Sequence, residues 1–358
     1  DFAHMFAVDS KAVCAPTAAV FQAELPGDWK QIIRPVEPFL AAVGQRLTQQ
    51  VAAFDSHLSG YAHYALNGQG KHLRAALVAL TGRALGKVTD DHVTVAAIIE
   101  LVHLATLVHD DVIDEAEMRR GQPTLAAHWD NERAVLFGDC LFAHALKLAA
   151  DFPTPEICRA VASATNTVCS GELLQIQHRR DFRLGRAGYF KVLEMKTAEL
   201  FALACELSAR LSGVGGEPQA ALRRFGLALG TAYQVYDDCV DLFGSETPAG
   251  KDLGRDLAKG KLTLPVLLVW ERANAADRKL LQGLVEAWQA GAIDRLAALL
   301  ARYQAFPASL EVFHQYLETA RQALQVLPAA TPRDSLLALA DYLRQQAEGL
   351  RPAPARGL

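Results

Sequence analysis

The 358-residue chain lacks the features that mark several protein classes. Its six cysteines, Cys14, Cys140, Cys158, Cys169, Cys205 and Cys239, include no CxxC pair. That spacing argues against a zinc site, a redox motif or a disulfide framework. Most of them lie in apolar helical runs, so they read as reduced core residues of a cytoplasmic protein. The net charge is only −4, which gives no support for a nucleic-acid surface. No apolar run reaches the length expected of a membrane span. Residues 1–26 contain Asp9, Lys11 and Glu24 and have no basic region ahead of a continuous apolar stretch. They do not read as a secretory signal, and are expected to be a flexible lead-in. No Gly/Ser/Pro-rich linker divides the middle of the chain, so one domain is expected over 27–350 with a disordered tail over 351–358.

What the chain does have is apolar residues at helical spacing, with Ala, Leu, Glu, Gln and Arg abundant and alternating strand patterns scarce. The composition, 51% hydrophobic and 21% charged, suffices for a large core. An all-α, single-domain bundle of about ten to fifteen helices is expected. The periodicity predicts helices over 29–58, 71–85, 89–114, 133–150, 155–178, 189–212 and 219–243. Asn67-Gly68-Gln69-Gly70 and residues 244–260 read as breaks, Gly121-Gln122-Pro123-Thr124 as a loop, and helix resumes from Leu264.

Two copies of one pattern stand out: Asp110-Asp111-Val112-Ile113-Asp114 and Asp237-Asp238-Cys239-Val240-Asp241. Each sets carboxylates at i, i+1 and i+4 after an apolar run, so the first and last share a helix face one turn apart. A single copy is as well explained by a solvated helix end. Two such faces around one cavity would repel strongly, and hard divalent cations relieve that repulsion. Mg²⁺ prefers carboxylate oxygens and leaves coordination positions open to substrate phosphates.

Basic residues flank both copies. Arg119 and Arg120 follow the first and offer forked donors to phosphate oxygens. Lys71 and Arg74 open a predicted helix, where free N–H groups and the dipole favour anions; alone, they would read as a solvated cap. His103 lies two turns before Asp110 on roughly the same face, although a lone histidine on an apolar helix is more often a satisfied core residue. After the second copy, Gly250-Lys251 and Gly260-Lys261 could close over phosphates, or could belong to a charged surface loop. Lys196, Thr197 and Gln234 fall inside apolar helices, where unpaired polar groups are costly, and so point to a cavity.

Taken in order from Gly70 to Pro265, these residues resemble the trans-type polyprenyl diphosphate synthases of the isoprenyl diphosphate synthase family, of medium- or long-chain type. The resemblance implies the isoprenoid synthase type I fold, with helices around a deep apolar cavity, and a homodimer. It implies condensation of isopentenyl diphosphate with an allylic diphosphate by metal-assisted ionisation, chain elongation and proton loss. It further implies a three-Mg²⁺ site, with Asp110 and Asp114 as ligands, Asp111 supporting, Asp237 holding the third ion, and Asp238 and Asp241 nearby. Lys71, Arg74, His103 and Arg120 would hold isopentenyl diphosphate. Arg119, Lys196, Lys251 and Lys261 would grip the allylic diphosphate, with Thr197 beside them, and Gln175 and Gln234 would lie near the reacting centre. His72 and Ala75 depart from the Arg or Lys and the Pro that the family often carries there, without altering the Lys71/Arg74 pair.

A class I terpene cyclase also ionises diphosphates, but its second metal motif mixes Asn/Asp, Ser/Thr and Glu, and it needs no second diphosphate pocket. A non-catalytic partner subunit would lack intact aspartate motifs. A structural Mg²⁺ protein would explain neither basic cluster. Ala105 and Thr106, just ahead of Asp110 on its helix, are small where short-chain relatives carry an aromatic plug. An open shaft predicts products longer than about C15, roughly C25 to C40. Ala105→Phe should therefore shorten the main product; an unchanged product length would reject this assignment.

Overall fold

The computed structural model describes residues 27–66, 70, 72–244, 253–328 and 332–350. The expected lead-in, the expected tail, Lys71 and Lys251 lie outside them. The described residues are helical almost throughout: α1 Gly27–Ile33, α2 Glu37–Ala52, α3 Ser56–Leu66, α4 Leu73–Ala84 and α5 Asp90–Ile113. Met118–Arg119 (β1) and Gln122–Pro123 (β2) pair antiparallel in a minimal hairpin. There follow α6 Leu125–His128, α7 Asn131–Ala150, α8 Glu156–Gln177, α9 Gly185–Leu193, α10 Glu199–Leu211 and α11 Gly216–Phe243. The last are α12 Arg255–Ala258, α13 Leu264–Arg272, α14 Ala275–Glu286, α15 Ile293–Arg302, α16 Ala305–Ala323 and α17 Asp334–Glu348. Setting aside the one-turn α6 and α12, fifteen helices are described, at the upper end of the expected number.

Four expectations need correction, the first being the break over 244–260, within which Arg255–Ala258 forms the one-turn α12. The helix expected over 29–58 is three pieces. Pro35 sits in a 3₁₀ turn over Arg34–Val36, and Pro38 occupies the first turn of α2, because neither residue has an N–H to give to a helix interior. The chain breaks again after Ala52. The segment over 189–212 is also not one regular helix. Glu194–Ala198, between α9 and α10, is a π-helical turn. The expected loop over 121–124 contributes to the β1–β2 hairpin, where Arg120 and Gly121 take positive φ of 52° and 78° to make the turn.

α4 and α5 form the buried centre. Ala75 to Thr81 are all sealed from solvent, as are Val95 to Ile99. α5 packs on α4, α7 and α10, while α11 packs on α10 and α16. By length and composition α5 could cross a membrane, which the sequence was not expected to offer, but 61% of its apolar window is buried inside the protein. Thr89 caps α5: its N–H donates to His92 Nδ1 at 3.1 Å, and His92 Nε2 lies 3.2 Å from the Ser208 carbonyl at the end of α10. The start of one central helix is thereby tied to the end of another.

Close approach governs the inner helices. A Cβ on Gly230 of α11 would stand 2.7 Å from Ala198 Cα, and one on Gly171 of α8 would stand 2.7 Å from Met195 Cβ. Both glycines press against the π turn, which carries Lys196 and Thr197. A π turn adds one residue per turn and is common at functional sites. Gly230→Ala should gain about 1 kcal/mol of helix propensity but lose about 1–3 kcal/mol to overpacking against backbone. The urea midpoint should fall; an unchanged or raised midpoint would contradict this packing.

Candidate active site

The first acidic motif ends α5 and the second ends α11. Asp110 and Asp114 are each met by cations from other elements. Lys196 of the π turn lies 3.5 Å from Asp110 Oδ2 and forms an ion pair with Glu172 of α8. It also donates to Gln175 Oε1 at 3.1 Å. Asp114 accepts from Arg179 at 2.8 Å and from Lys261 at 2.5 Å. Burial pushes the Asp110 carboxyl up, with Glu172 and Asp114 adding to the rise and Lys196 and Lys261 opposing it. Burial alone would lower the Lys196 ammonium, but Asp110 and Glu172 raise it, so the lysine stays charged.

Asp111 is turned differently. It is buried, and Arg119 grips both its oxygens at 2.9 Å. That bidentate pair holds the β1 strand, and with it Arg120, beside the end of α5.

In the second motif Asp237 is the exposed member. Asp238 is buried, with both oxygens engaged: Tyr189 Oη donates at 2.6 Å and Gln234 Nε2 at 2.9 Å. Gln234 also donates to Asp237 Oδ2 at 3.4 Å and accepts from Thr197 Oγ1 at 3.0 Å. Asp241 accepts the backbone N–H groups of Arg255 and Asp256, each at 3.2 Å, at the start of α12. Even so, burial and the Asp256 charge push Asp241 up to about 7. Asp256 is raised by burial and feels Lys261, Lys196 and Asp114 as well as the second motif. It therefore lies between the two motifs and ties them into one electrostatic unit.

A separate cluster gathers at the start of α4. Arg74 stacks over Phe201 with its guanidinium carbon 5.0 Å from the ring centre. His103 is half-buried close to Arg74, Glu100, Arg120 and Arg119; loss of hydration, with Arg74 next, drives it well below its ordinary pKa, so the ring is neutral and offers one N–H. Arg120 reaches the backbone at Gly70, where a Cβ would meet its guanidinium at 3.1 Å. Glu100 accepts from the Ala75 N–H and stands in hydrogen-bond contact with His72 Nδ1, each at 3.2 Å. Burial would raise Glu100, yet the hydrogen bond to His72, with the Arg74 guanidinium nearby, holds it down at about 2.

The sequence-predicted residues thus fall into two groups: Asp110, Asp114, Lys196, Gln175 and Lys261 with Thr197, Gln234 and the second motif, and apart from them Arg74, His103 and Arg120. Arg119 joins Asp111 in this structure. Ala105 is fully buried on α5, and Thr106 turns its hydroxyl back to the His103 carbonyl at 2.7 Å. Sequence reasoning missed Glu172, Arg179, Asp256, Glu100 and Tyr189. Glu172, an acid within the apolar run of α8 and three residues before Gln175, carried a signal in the sequence; Asp256, in a charged stretch, did not.

All the acidic donors are oxygens, which suits a hard cation such as Mg²⁺. Among the described residues, no three acidic, His or Cys side chains converge as a closed cage.

Comparison with known proteins agrees with this geometry. The family described as polyprenyl synthetase matches residues 55–303. The chain is 32% identical over 313 residues to an octaprenyl diphosphate synthase of Haemophilus influenzae, covering 87% of this chain and 94% of that protein. Its fold resembles a decaprenyl diphosphate synthase from Rhodobacter capsulatus, with TM-score 0.83, 32% identity and coverage of 90% and 99%. It is also similar to a polyprenyl synthase from Caulobacter crescentus solved with calcium and isoprenyl diphosphate, with TM-score 0.82, 31% identity and coverage of 91% and 98%. With the family matched over most of its length and its helical architecture shared, this chain belongs to the polyprenyl synthetase family and is a prenyltransferase.

Proposed function

We propose that the protein condenses isopentenyl diphosphate with an allylic diphosphate to give an all-trans polyprenyl diphosphate longer than about C15, with roughly C25 to C40 expected from the small side chains of Ala105 and Thr106. The observation that carries this reading is the meeting of Lys196 and Lys261 with Asp110 and Asp114, separate from the Arg74/His103/Arg120 cluster. One group suits a metal-bound diphosphate, the other a metal-free one. The Haemophilus and Rhodobacter relatives are named for products of eight and ten isoprene units, at and beyond the upper end of that range.

Mg²⁺ ions, three in this reading, would sit on Asp110, Asp114 and Asp237 and neutralise the leaving diphosphate as it departs. The calcium and isoprenyl diphosphate in the Caulobacter relative support a divalent cation here. Lys196, Lys261 and Arg179 now balance the first motif. With the motif neutralised otherwise, those same cations are free to take diphosphate oxygens, joined by Lys251. Fixed cations aimed at developing negative charge are the main electrostatic lever for such an ionisation. Thr197 Oγ1 and Gln234 Oε1 place oxygen dipoles beside the reacting carbons, where positive charge develops. Arg74, neutral His103, Arg120 and Lys71 hold isopentenyl diphosphate so that its double bond faces the allylic carbon. A new C–C bond forms, the allylic C–O bond has broken, and a proton leaves to the departing diphosphate. The apolar walls of α4, α5 and α10 keep out the water that would trap the cation.

The same reading makes the chain a cytoplasmic homodimer. Its five described cysteines are free thiols. On the neighbouring helices α7 and α8, Leu136 and Leu173 are 64% and 60% exposed, which supports cover by a second copy.

Two outcomes test this function. Asp110→Ala should cut turnover at saturating Mg²⁺ by at least about a hundredfold while circular dichroism and thermal midpoint show an intact fold; retained activity would remove Asp110 from the metal site. Leu136→Glu combined with Leu173→Glu should turn a sedimenting dimer into a monomer. A wild type that is already monomeric, or a dimer indifferent to both charges, would end the homodimer reading.

A further inference from the structure

Hydrogen bonds, one buried and two part-buried, run behind the second acidic motif in an unbroken sequence. Tyr189, in the middle of α9, is only 3% exposed. Its hydroxyl donates to Asp238 Oδ2 at 2.6 Å, and the Leu264 backbone N–H faces the same phenol oxygen from the first residue of α13. Asp238 takes its second bond from Gln234 Nε2 at 2.9 Å, and Gln234 takes one from Thr197 Oγ1 at 3.0 Å. Three elements, α9, α11 and the π turn, therefore meet through three side-chain hydrogen bonds, and α13 joins them through its backbone. Leu264 stands three residues after Lys261, and Thr197 directly follows Lys196, so both ends of the chain of bonds adjoin lysines that balance the first motif.

The directions of these bonds matter. Here the Gln234 amide turns its nitrogen to Asp238 and its oxygen to the Thr197 hydroxyl, so it is held from both sides. Its nitrogen then faces Asp238 and Asp237, at 2.9 and 3.4 Å. Asp238 is buried, with a protein donor on each of its two oxygens. Asp237, next in sequence and exposed, is the oxygen source held in place by this arrangement. Outer hydrogen bonds of this kind orient metal-binding carboxylates and set their affinity.

We propose that Tyr189 is a positioning residue for the second acidic motif: through Asp238 and Gln234 it fixes Asp237 for a divalent cation and keeps that motif in register with Lys196–Thr197 and Lys261. The proposal rests on the diphosphate–metal reading given above. Its side chain touches no substrate. It acts by removing freedom from the groups that do.

The test is Tyr189→Phe, which keeps the ring and deletes the hydroxyl. Mn²⁺ bound in the presence of inorganic pyrophosphate is measured by electron paramagnetic resonance, so that the readout does not depend on turnover. In Tyr189→Phe one class of Mn²⁺ should weaken by about ten- to a hundredfold, with the remaining Mn²⁺ unmoved. In steady-state assays the KM for isopentenyl diphosphate should stay within about twofold, because the Arg74/His103/Arg120 cluster stands apart. Tyr189→Phe that binds all its Mn²⁺ as wild type does would overturn the proposal. So would equal weakening of every Mn²⁺ class together with the isopentenyl diphosphate KM, since that marks a general structural role. If wild type itself takes up no Mn²⁺ with pyrophosphate, the metal reading of the site fails first. Should Tyr189→Phe not fold, Thr197→Val cuts the same sequence of bonds from its other end. Selective loss of the same Mn²⁺ class would uphold the proposal, and an unchanged class would reject it.

Discussion

Like charge brought out of water is the constraint around which this molecule is arranged. Asp110, Asp114, Glu172, Asp238, Asp241 and Asp256 converge at one end of a helical bundle, and several are buried. Alone they would repel one another or take up protons, as the upward displacement of Asp110, Asp238, Asp241 and Asp256 shows. Lys196, Lys261 and Arg179 offset part of that charge, and Tyr189 and Gln234 supply hydrogen bonds where no cation reaches. A site built this way is held in tension. Its lysines serve as counter-ions in the protein alone, and the same lysines are the groups a diphosphate needs.

The fold serves that balance. α5 and α11 deliver one acidic motif each, and the glycines of α8 and α11 let the π turn come close enough to place Lys196 against the first motif and Thr197 against the second. Asp256, on the one-turn α12, completes the join. The second cluster gathers around Arg74 and neutral His103, with Glu100 held ionised beneath it. Two anionic substrates can thus be bound by different means, one through hard cations and one through fixed side chains.

Much of this was legible in the sequence because the relevant signals were local. Two aspartate motifs at the ends of apolar runs, with Arg119/Arg120 and Arg74 in fixed order, were enough to place both groups of residues. Helix content was legible from periodicity for the same reason. What escaped was what depends on neighbours distant in sequence. Arg179 gains its meaning only by reaching Asp114, Tyr189 by reaching Asp238, and Glu100 by lying under α4. Asp111 and Asp238 read like their motif partners in sequence, yet each is taken up by a protein donor in the fold. The π turn at Glu194–Ala198 leaves no mark in composition, since it arises from packing against Gly171 and Gly230. The proline breaks near Pro35 and Pro38 were visible, but the surrounding apolar pattern masked them.

One measurement bears most directly on the central claim that two diphosphates are handled here, one through metal and one without. The protein is incubated with isopentenyl diphosphate and an allylic primer, with and without Mg²⁺, and the products are sized. The account predicts polyprenyl diphosphates longer than about C15 that form only when Mg²⁺ is present. Elongation that proceeds equally without a divalent cation, or the absence of any elongated product with it, would contradict the account.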